Sequence, residues 1–184
     1  MSYIIHDGAP ADSRPDNEAA VYRFLSAHQI PFTRIDHEPV QTMEDCQAID
    51  RALGGEICKN LFLCNQQKTQ FYLLMIQETK AFKTKDVSKQ LGVSRLSFGP
   101  PEYMDQLLHI HPGAVSPMGL LFESAKNVRL VMDSDLRAAE YLGCHPCVNT
   151  ASIRMRMRDF LEVYLPTVGH PPTFVSIPAA SPEE

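Results

Sequence analysis

The chain has 184 residues, of which 44% are hydrophobic, 21% charged and 8% aromatic. These values are typical of one globular domain and exclude an intrinsically disordered chain. The formal net charge is −5, from 17 basic and 22 acidic residues. This charge argues against a non-specific nucleic-acid coat protein, because such a protein needs a broad basic surface to release counterions.

The sequence predicts a cytoplasmic protein without a membrane partner. No apolar run approaches the roughly 18 residues of a membrane span. The N-terminal segment lacks a basic region followed by an apolar stretch, so no secretory signal is expected. The five cysteines are an odd number, and we expect reduced thiols that pack as small hydrophobic side chains.

Hydrophobic spacing predicts short helices mixed with strands, without a regular βαβ rhythm. We expect a loose arm over residues 1–15, one domain over 16–178 and a frayed tail over 179–184. This pattern predicts a single α/β domain with a mixed β-sheet and flanking short helices. The predicted helices, in chain order, run from Asp16 to His28, from a capping box at Thr42 and Asp45 to Leu53, over 84–92 with Thr84 as the cap, over 101–108, from Asp135, and from Met157 to a stop at Pro166. The predicted strands begin at Phe32, cover 57–64, 71–76 and 128–133, lead into Ile153, and cover 173–177.

A lysine interrupts the apolar strand over 57–64. Side chains alternate along a strand, so Lys59 shares a face with Ile57 and Leu61. A charge that faces an apolar layer is unfavourable unless it lies near an edge or meets an anion. Two interpretations remain open: an exposed strand end whose aliphatic stem covers apolar surface, or a functional lysine.

A loop rich in glycine and proline follows the helix over 101–108. Gly113 and Pro117 place two bends close together, and the backbone N–H groups between them are suited to hold a carbonyl oxygen or an oxyanion. Most loops of this composition are only turns. Ser116 does not lie in a G-x-S-x-G elbow, which disfavours a serine hydrolase.

The run Cys144-His145-Pro146-Cys147 contains a C-x-x-C motif, which suggests a redox or zinc site. The motif lies late in the chain and has no second C-x-x-C to complete a zinc site. A polar turn with two packed thiols explains it better, and no metal or other cofactor is expected.

Basic residues cluster in two places on this acidic chain. Each cluster is most simply a solvated face, but together they form the local positive surface best suited to phosphate contact. They are Lys80, Lys83, Lys85, Lys89 and Arg95, and then Arg154, Arg156 and Arg158.

Three motifs, ICKNLFL, GAVSPMGL and CHPCVNTAS, occur in this order over one domain. Together they resemble the free-standing trans-editing proteins of the YbaK/prolyl-tRNA synthetase editing-domain superfamily. The stretch from His145 to Ser152 is similar to the ProXp-ala (PrdX-like) branch, and the resemblance covers roughly residues 16–178. Cys147 departs from a larger aliphatic residue and Ser152 from threonine, and both changes can alter the shape of the pocket.

This resemblance implies an aminoacyl-tRNA hydrolase, a carboxylic ester hydrolase that removes alanine from mischarged tRNA(Pro). Alanine is smaller than proline, so a pocket built for proline excludes it only weakly and a second sieve is needed. The implied partners are the acceptor end of tRNA(Pro) carrying alanine and, transiently, prolyl-tRNA synthetase. The protein is expected to act as a monomer.

The resemblance also implies roles for the first two motifs. Lys59 would bind a phosphate or orient the acceptor end, and Asn60 would position the terminal adenosine. The loop from Gly113 to Pro117 would hold the ester carbonyl through its backbone N–H groups. Its inner residues are Ala114, Val115 and Ser116.

In the third motif, His145 would border the amino-acid pocket, with His37 at its rim. No protein nucleophile is implied, because a positioned water, a stabilised oxyanion and the 2′-hydroxyl of the terminal adenosine suffice. The residues that would line or brace the pocket are Asn149, Thr150 and Ser152.

Two alternative functions for a protein of this family remain open. A sibling deacylase would remove serine, threonine or cysteine, a difference that depends on pocket shape. A non-catalytic module of the same fold would bind an aminoacyl-tRNA end without hydrolysing it.

Overall fold

The computed structural model describes residues 3–39 and 43–179, with the side chains of residues 43–46, 56 and 57 left aside. The capping box predicted at Thr42 and Asp45 lies outside these described parts. The strands are β1 (Ile5–Asp7), β2 (Phe32–Asp36), β3 (Glu56–Cys64), β4 (Phe71–Gln77), β5 (Ser97–Phe98), β6 (Val128–Asp133), β7 (Tyr141–Cys144), β8 (Ala151–Arg156) and β9 (Thr173–Val175). The helices are α1 (Asp16–Ala27), α2 (Met43–Leu53), α3 (Thr84–Leu91), α4 (Pro101–Leu108) and a C-terminal helix built from Met157–Asp159, a π-helical turn at Phe160–Tyr164, and Leu165–Val168. Three 3-10 turns lie at Pro117–Leu121, Glu123–Ala125 and Ser134–Ala138.

Within the described ranges, nine strands form one mixed sheet, which confirms the predicted fold class. The strand order is β1-β2-β8-β7-β3-β4-β6-β9, and β5 pairs with β3 outside this order. The pairs β3–β7, β4–β6 and β6–β9 are parallel and the others antiparallel. Parallel neighbours need long connections, and the helices and turns between these strands supply them.

The central strand β3 has β7 on one edge and β4 on the other. Its ladder with β7 is short: Glu56 lies opposite Leu142 and Ile57 opposite Gly143. The ladder with β4 runs from Cys58 to Cys64. Beyond Ile57, β3 and β7 are no longer paired, and a gap opens between the two strands.

The core lies on both faces of the sheet, as the uninterrupted apolar run of β4 predicts. Leu73 and Met75 pack with α1, α4 and the C-terminal helix on one face. Tyr72, Leu74 and Ile76 pack on the other face, together with residues of α3 and β9. This buried frame supports the ends of β3, β4 and β7.

Several local predictions differ from the structure. Part of the segment treated as a loose arm, Ile5–Asp7, pairs with β2 at the edge of the sheet. Helix α3 has Lys83 rather than Thr84 at its N-cap, and Gly92 ends the helix in the left-handed conformation, as predicted. The helix expected from Asp135 is one 3-10 turn, after which the chain returns as β7.

The C-terminal helix does not stop at Pro166. It continues to Val168 and ends at Gly169, which has φ +75°. A π-helical turn precedes the proline. The wider turn relieves the clash that a proline ring makes with the preceding helical turn, so the helix passes through this residue. None of the described helices is both long enough and apolar enough to cross a membrane.

Candidate active site

A cleft of about 330 Å³ occupies the gap between β3 and β7. It is closed on one side by α2 and bordered by the loop that begins at Gly113. The cleft brings together six of the predicted site residues from all three motifs. The lining residues are Ile49, Asp50, Leu53, Cys58, Lys59, Asn60, Glu78, Gly113, Val115, Gly143, Cys144, His145 and Ser152.

Lys59 lies on β3 just beyond the point where the ladder to β7 ends. Its side chain is exposed, so its charge is not buried against the apolar layer. Its Nζ donates a hydrogen bond of 3.4 Å to the backbone carbonyl of Lys80. Lys59 is therefore an exposed lysine inside β3, opposite Ile76 of β4, rather than at a strand end, and it lines the cleft.

Lys80 itself is buried, which contradicts its predicted place on a phosphate-contacting surface. Only 5% of the residue is exposed, and its Nζ lies 2.7 Å from Asp133 and 2.6 Å from Asp135. Burial alone would lower the pKa of Lys80, but the two carboxylates hold it above its ordinary value. This ion pair anchors the segment whose carbonyl group accepts from Lys59.

The loop from Gly113 places two backbone donors at the cleft. Gly113 has φ +92°, a conformation that glycine adopts without strain. The N–H of Ala114 donates to the carbonyl of His111 at 3.1 Å. In the described part of the chain, the N–H groups of Gly113 and Val115 donate to no protein acceptor, so both can serve a bound oxygen.

His145 is held in one tautomer. Its Nδ1 donates to the carbonyl of Ala151 at 2.8 Å, so Nε2 is the acceptor of the neutral ring. Burial lowers the pKa of His145, the bond to Ala151 raises it and the charge of His37 lowers it, with a net decrease. The ring is therefore neutral near pH 7.

Ser152 connects the two histidines at the cleft. The Nδ1 of His37 lies 2.9 Å from the carbonyl oxygen of Glu38 and must donate to it, which leaves Nε2 of a neutral ring as an acceptor. Ser152 Oγ lies 3.0 Å from that Nε2 and 3.4 Å from the Nδ1 of His145. The Ser152 hydroxyl thus fixes both rings. His37 does not line the cleft but contacts it through Ser152.

Five predicted site residues are absent from the cleft lining in the described part of the structure. Ala114, Ser116 and Pro117 are buried, while Asn149 and Thr150 are partly buried in the turn that follows His145. Ser116 caps the 3-10 turn by accepting from the N–H of Met118 at 3.1 Å. The backbone of Thr150 accepts from the N–H of His37 at 2.9 Å. These residues shape the two loops that border the cleft.

The two cysteines of the C-x-x-C motif are buried thiols. Burial raises the pKa of Cys144 to about 12, against a smaller lowering by Ser116, and burial also raises the pKa of Cys147. A thiol is nucleophilic only as the thiolate, so neither is activated. Across the described residues, no group of three or more histidine, cysteine or acidic side chains is arranged to hold a metal ion.

Two acidic residues that line the cleft are not predicted from the sequence. Asp50 lies on α2, and Glu78 directly follows β4. Burial raises the pKa of Asp50 to about 7, with a further increase from Glu78 and a decrease from Arg51. The only sequence signal for Asp50 is its place between the apolar residues Ile49 and Leu53, which does not separate it from an ordinary surface acid.

Comparison with known proteins identifies the family of this chain. The profile of the aminoacyl-tRNA editing domain matches residues 37–163, which contain all three motifs. The solved structure of a protein described as a candidate trans-editing enzyme for prolyl-tRNA synthetase superposes with a TM-score of 0.66 at 16% identity, covering 91% of this chain and all of that one. The chain therefore shares the fold of that protein.

Two curated relatives resemble most of the chain. The prolyl-tRNA editing protein ProX of Acetoanaerobium sticklandii is 30% identical over 148 residues, covering 80% of this chain and 90% of the relative. The prolyl-tRNA synthetase associated domain-containing protein 1 of Danio rerio is 28% identical over 170 residues, covering 91% and 89%. The chain belongs to the aminoacyl-tRNA editing domain family.

Proposed function

We propose that this chain is an aminoacyl-tRNA deacylase that hydrolyses the ester of alanine mischarged onto tRNA(Pro). The observation that carries the proposal is the meeting of three kinds of group in one cleft. Lys59 supplies a cation, Gly113 and Val115 supply free backbone donors, and His145 supplies a fixed neutral ring. The names of the relatives, a prolyl-tRNA editing protein and prolyl-tRNA synthetase associated proteins, support the same assignment.

The backbone donors would act on the ester carbonyl. Negative charge develops on this oxygen when water attacks, and donors that are already in place stabilise it in the transition state. The left-handed conformation of Gly113 and the buried cap at Ser116 hold the loop before substrate binds. Lys59 would contact a phosphate of the acceptor end, because an exposed ammonium at the cleft suits a phosphate.

Hydrolysis would need no protein nucleophile. The thiol of Cys144 lines the cleft, but its raised pKa leaves almost no thiolate at neutral pH. The hydroxyl nearest the scissile ester is the 2′-hydroxyl of the terminal ribose. We expect this group to orient the attacking water, which makes the reaction substrate-assisted.

The walls of the cleft suit a small side chain. Ile49, Leu53 and Val115 supply apolar surface, and His145 forms a wall fixed by its hydrogen bonds. A site of this kind would admit the methyl group of alanine and exclude a larger ring. Ser152, where the family commonly has threonine, sets the position of His145 and therefore the size of this pocket.

The remaining parts of the proposal concern partners. The chain would act in the cytoplasm as a monomer on the acceptor end of tRNA(Pro), with transient contact to prolyl-tRNA synthetase. Arg156 is exposed at the end of β8 and can contact phosphates, whereas Arg158 is engaged with Glu162 at 2.8 Å. Contact with tRNA would therefore involve only part of the predicted basic surface.

A deacylation panel tests the proposal. Purified protein is mixed with tRNA(Pro) charged with alanine, serine, threonine, cysteine or proline, and the loss of each ester is followed over time. The expected result is rapid loss of alanine alone. Preferential loss of serine, threonine or cysteine would indicate a sibling deacylase, and protection of every ester would indicate a binding module.

A further inference from the structure

Four residues other than glycine adopt the left-handed conformation in the described part of the chain, and two of them border the cleft. His109, with φ +53°, begins the loop that leads to Gly113. Cys147, with φ +65°, lies in the turn that follows His145. This conformation is unfavourable for a residue with a Cβ atom, and it persists where surrounding contacts hold the backbone in place.

Asn17 supplies a contact that holds both residues. Its Nδ2 donates to the carbonyl oxygen of His109 at 2.9 Å and to that of Cys147 at 3.0 Å. Its Oδ1 accepts from the N–H of Glu18 at 2.9 Å. A side-chain amide has two N–H donors, and Asn17 uses both of them on the two left-handed residues. One side chain thus joins three segments that are far apart in sequence.

Helix α1 gives Asn17 a rigid base. Asn17 lies in the first turn of this helix, whose residues Val21 and Leu25 are fully buried. The hydroxyl group of Tyr22 donates to the carboxylate of Glu18 at 2.7 Å in the same part of the core. The core therefore sets the position of Asn17, and the two loops take their position from its amide group.

Asn17 and Ser116 join the same two loops at different points. The Ser116 hydroxyl donates to the carbonyl oxygen of His145 at the cleft, whereas Asn17 binds the loops at His109 and Cys147. A single hydrogen bond leaves two loops free to pivot about it, and a second bond at another point fixes their relative orientation. The direction of the histidine ring relative to the backbone donors of the cleft therefore depends on Asn17.

We propose that Asn17 is a positioning residue for the hydrolysis, because it holds the backbones of His109 and Cys147 in the left-handed conformation. The inference rests on the proposed function, in which the two loops supply the backbone donors and the histidine wall. Asn17 does not line the cleft, so it acts through the loops and touches neither the ester nor a phosphate. Its loss slows the chemical step and leaves tRNA binding unchanged, since Lys59 still meets the acceptor end.

The test removes the two N–H donors of Asn17. Asn17→Asp keeps the shape of the side chain, and an acidic residue suits the first turn of a helix, so α1 stays folded. Asn17→Ala is the second variant. Asn65→Ala is the matched control: the Nδ2 of Asn65 donates to Thr69 at 2.9 Å in the turn between β3 and β4, and this residue does not line the cleft.

Single-turnover hydrolysis of Ala-tRNA(Pro) is measured at increasing concentrations of excess protein. The data give a maximal rate constant and a half-saturating protein concentration, and melting temperatures are recorded for the same samples. The maximal rate constant does not depend on the fraction of protein that is folded, so a merely structural role would not change it. A loss of folded protein raises the half-saturating concentration instead.

The expected result is a loss of rate without a loss of affinity. Both Asn17 variants should lower the maximal rate constant by at least about tenfold, because small displacements of catalytic groups have large effects on rate. Their half-saturating concentrations should change by less than about twofold. Asn65→Ala should lower the melting temperature and keep the wild-type rate constant.

Three outcomes overturn the inference and can be told apart. If the wild type is active and the Asn17 variants keep its maximal rate constant, or lose only affinity, Asn17 is not a positioning residue and the proposed hydrolysis stands. An equal loss of rate in Asn65→Ala would attribute the effect to stability alone. If the wild type hydrolyses no aminoacyl ester of tRNA(Pro), the proposed function fails and the role of Asn17 fails with it.

Discussion

The hydroxyl group of Ser116 donates a hydrogen bond of 2.5 Å to the backbone carbonyl oxygen of His145. This bond joins the Gly113–Pro117 loop to the turn that carries the histidine, although the two lie far apart in sequence. Ser116 is fully buried and also accepts from the N–H of Met118. One side chain therefore sets the distance between the backbone donors and the histidine wall of the cleft.

The first prediction concerns this contact. Ser116→Ala should lower the free energy of unfolding by about 1–3 kcal/mol, because it leaves two buried backbone groups unpaired. Thermal unfolding measures the effect. Ser124→Ala is the control: the Ser124 hydroxyl donates to the carbonyl of Leu107 at 2.8 Å but lies on the surface. Equal changes in melting temperature for the two variants would contradict the structural role of Ser116.

The second prediction concerns Lys59. Lys59→Ala should reduce the deacylation rate on the order of a hundredfold by removing the cation that meets the acceptor end. The melting temperature should stay unchanged, because the side chain is exposed. Lys126→Ala removes an exposed lysine that pairs with the exposed Glu123, and it serves as the control. Wild-type rates for Lys59→Ala at subsaturating tRNA would refute the assignment.

Much of the site could be predicted from the sequence because its residues lie in contiguous motifs. Lys59, Gly113 and His145 each stand within a run whose order resembles a known family, and all three line one cleft. Asp50 could not be found in this way. Its proximity to Glu78 depends on how α2 packs against the ends of β3 and β4, and that packing is a tertiary property without a local signal.

The incorrect local predictions have the same origin. The sequence groups Lys80 with exposed lysines because Lys83 and Lys85 follow it closely in the chain. Its charge is instead neutralised by Asp133, at the end of a strand more than fifty residues away. The stop predicted at Pro166 assumed a regular α-helix, whereas a π-helical turn makes room for the proline ring.

The third prediction follows from the raised pKa of Asp50, about 7. Between pH 4 and 7 the folded protein retains a proton that the unfolded chain has lost, so stability falls as the pH rises through this window and stays lower above it. Asp50→Asn should therefore raise the melting temperature at pH 8 by roughly 2–4 °C, after allowance for solvent screening of a half-buried group, and have little effect at pH 4.

Melting curves of Asp50→Asn and the wild type at both pH values check this prediction, with Glu140→Gln as the exposed control. A stabilisation that is the same at pH 4 and pH 8 would mean that the Asp50 charge is not the cause. A gain in stability together with a loss of activity would mark Asp50 as an acid kept for function.

The fourth prediction concerns the attacking water. Replacing the terminal adenosine of alanylated tRNA by its 2′-deoxy form should slow the single-turnover rate by at least about a hundredfold, because the hydroxyl that orients the water is lost. Cys144→Ala should be mild by comparison, since its buried thiol has a pKa of about 12. Normal hydrolysis of the deoxy substrate, or an inactive but folded Cys144→Ala variant, would contradict this mechanism and require a covalent route or a side-chain base.

The most direct test of the central claim is single-turnover hydrolysis of Ala-tRNA(Pro) and Pro-tRNA(Pro) by the wild type and His145→Ala, with the protein in excess. The wild type should deacylate the alanine ester and leave the proline ester intact. His145→Ala should lose this discrimination, because the ring that closes the pocket is gone. Equal hydrolysis of both esters by the wild type, or of neither, would contradict the account.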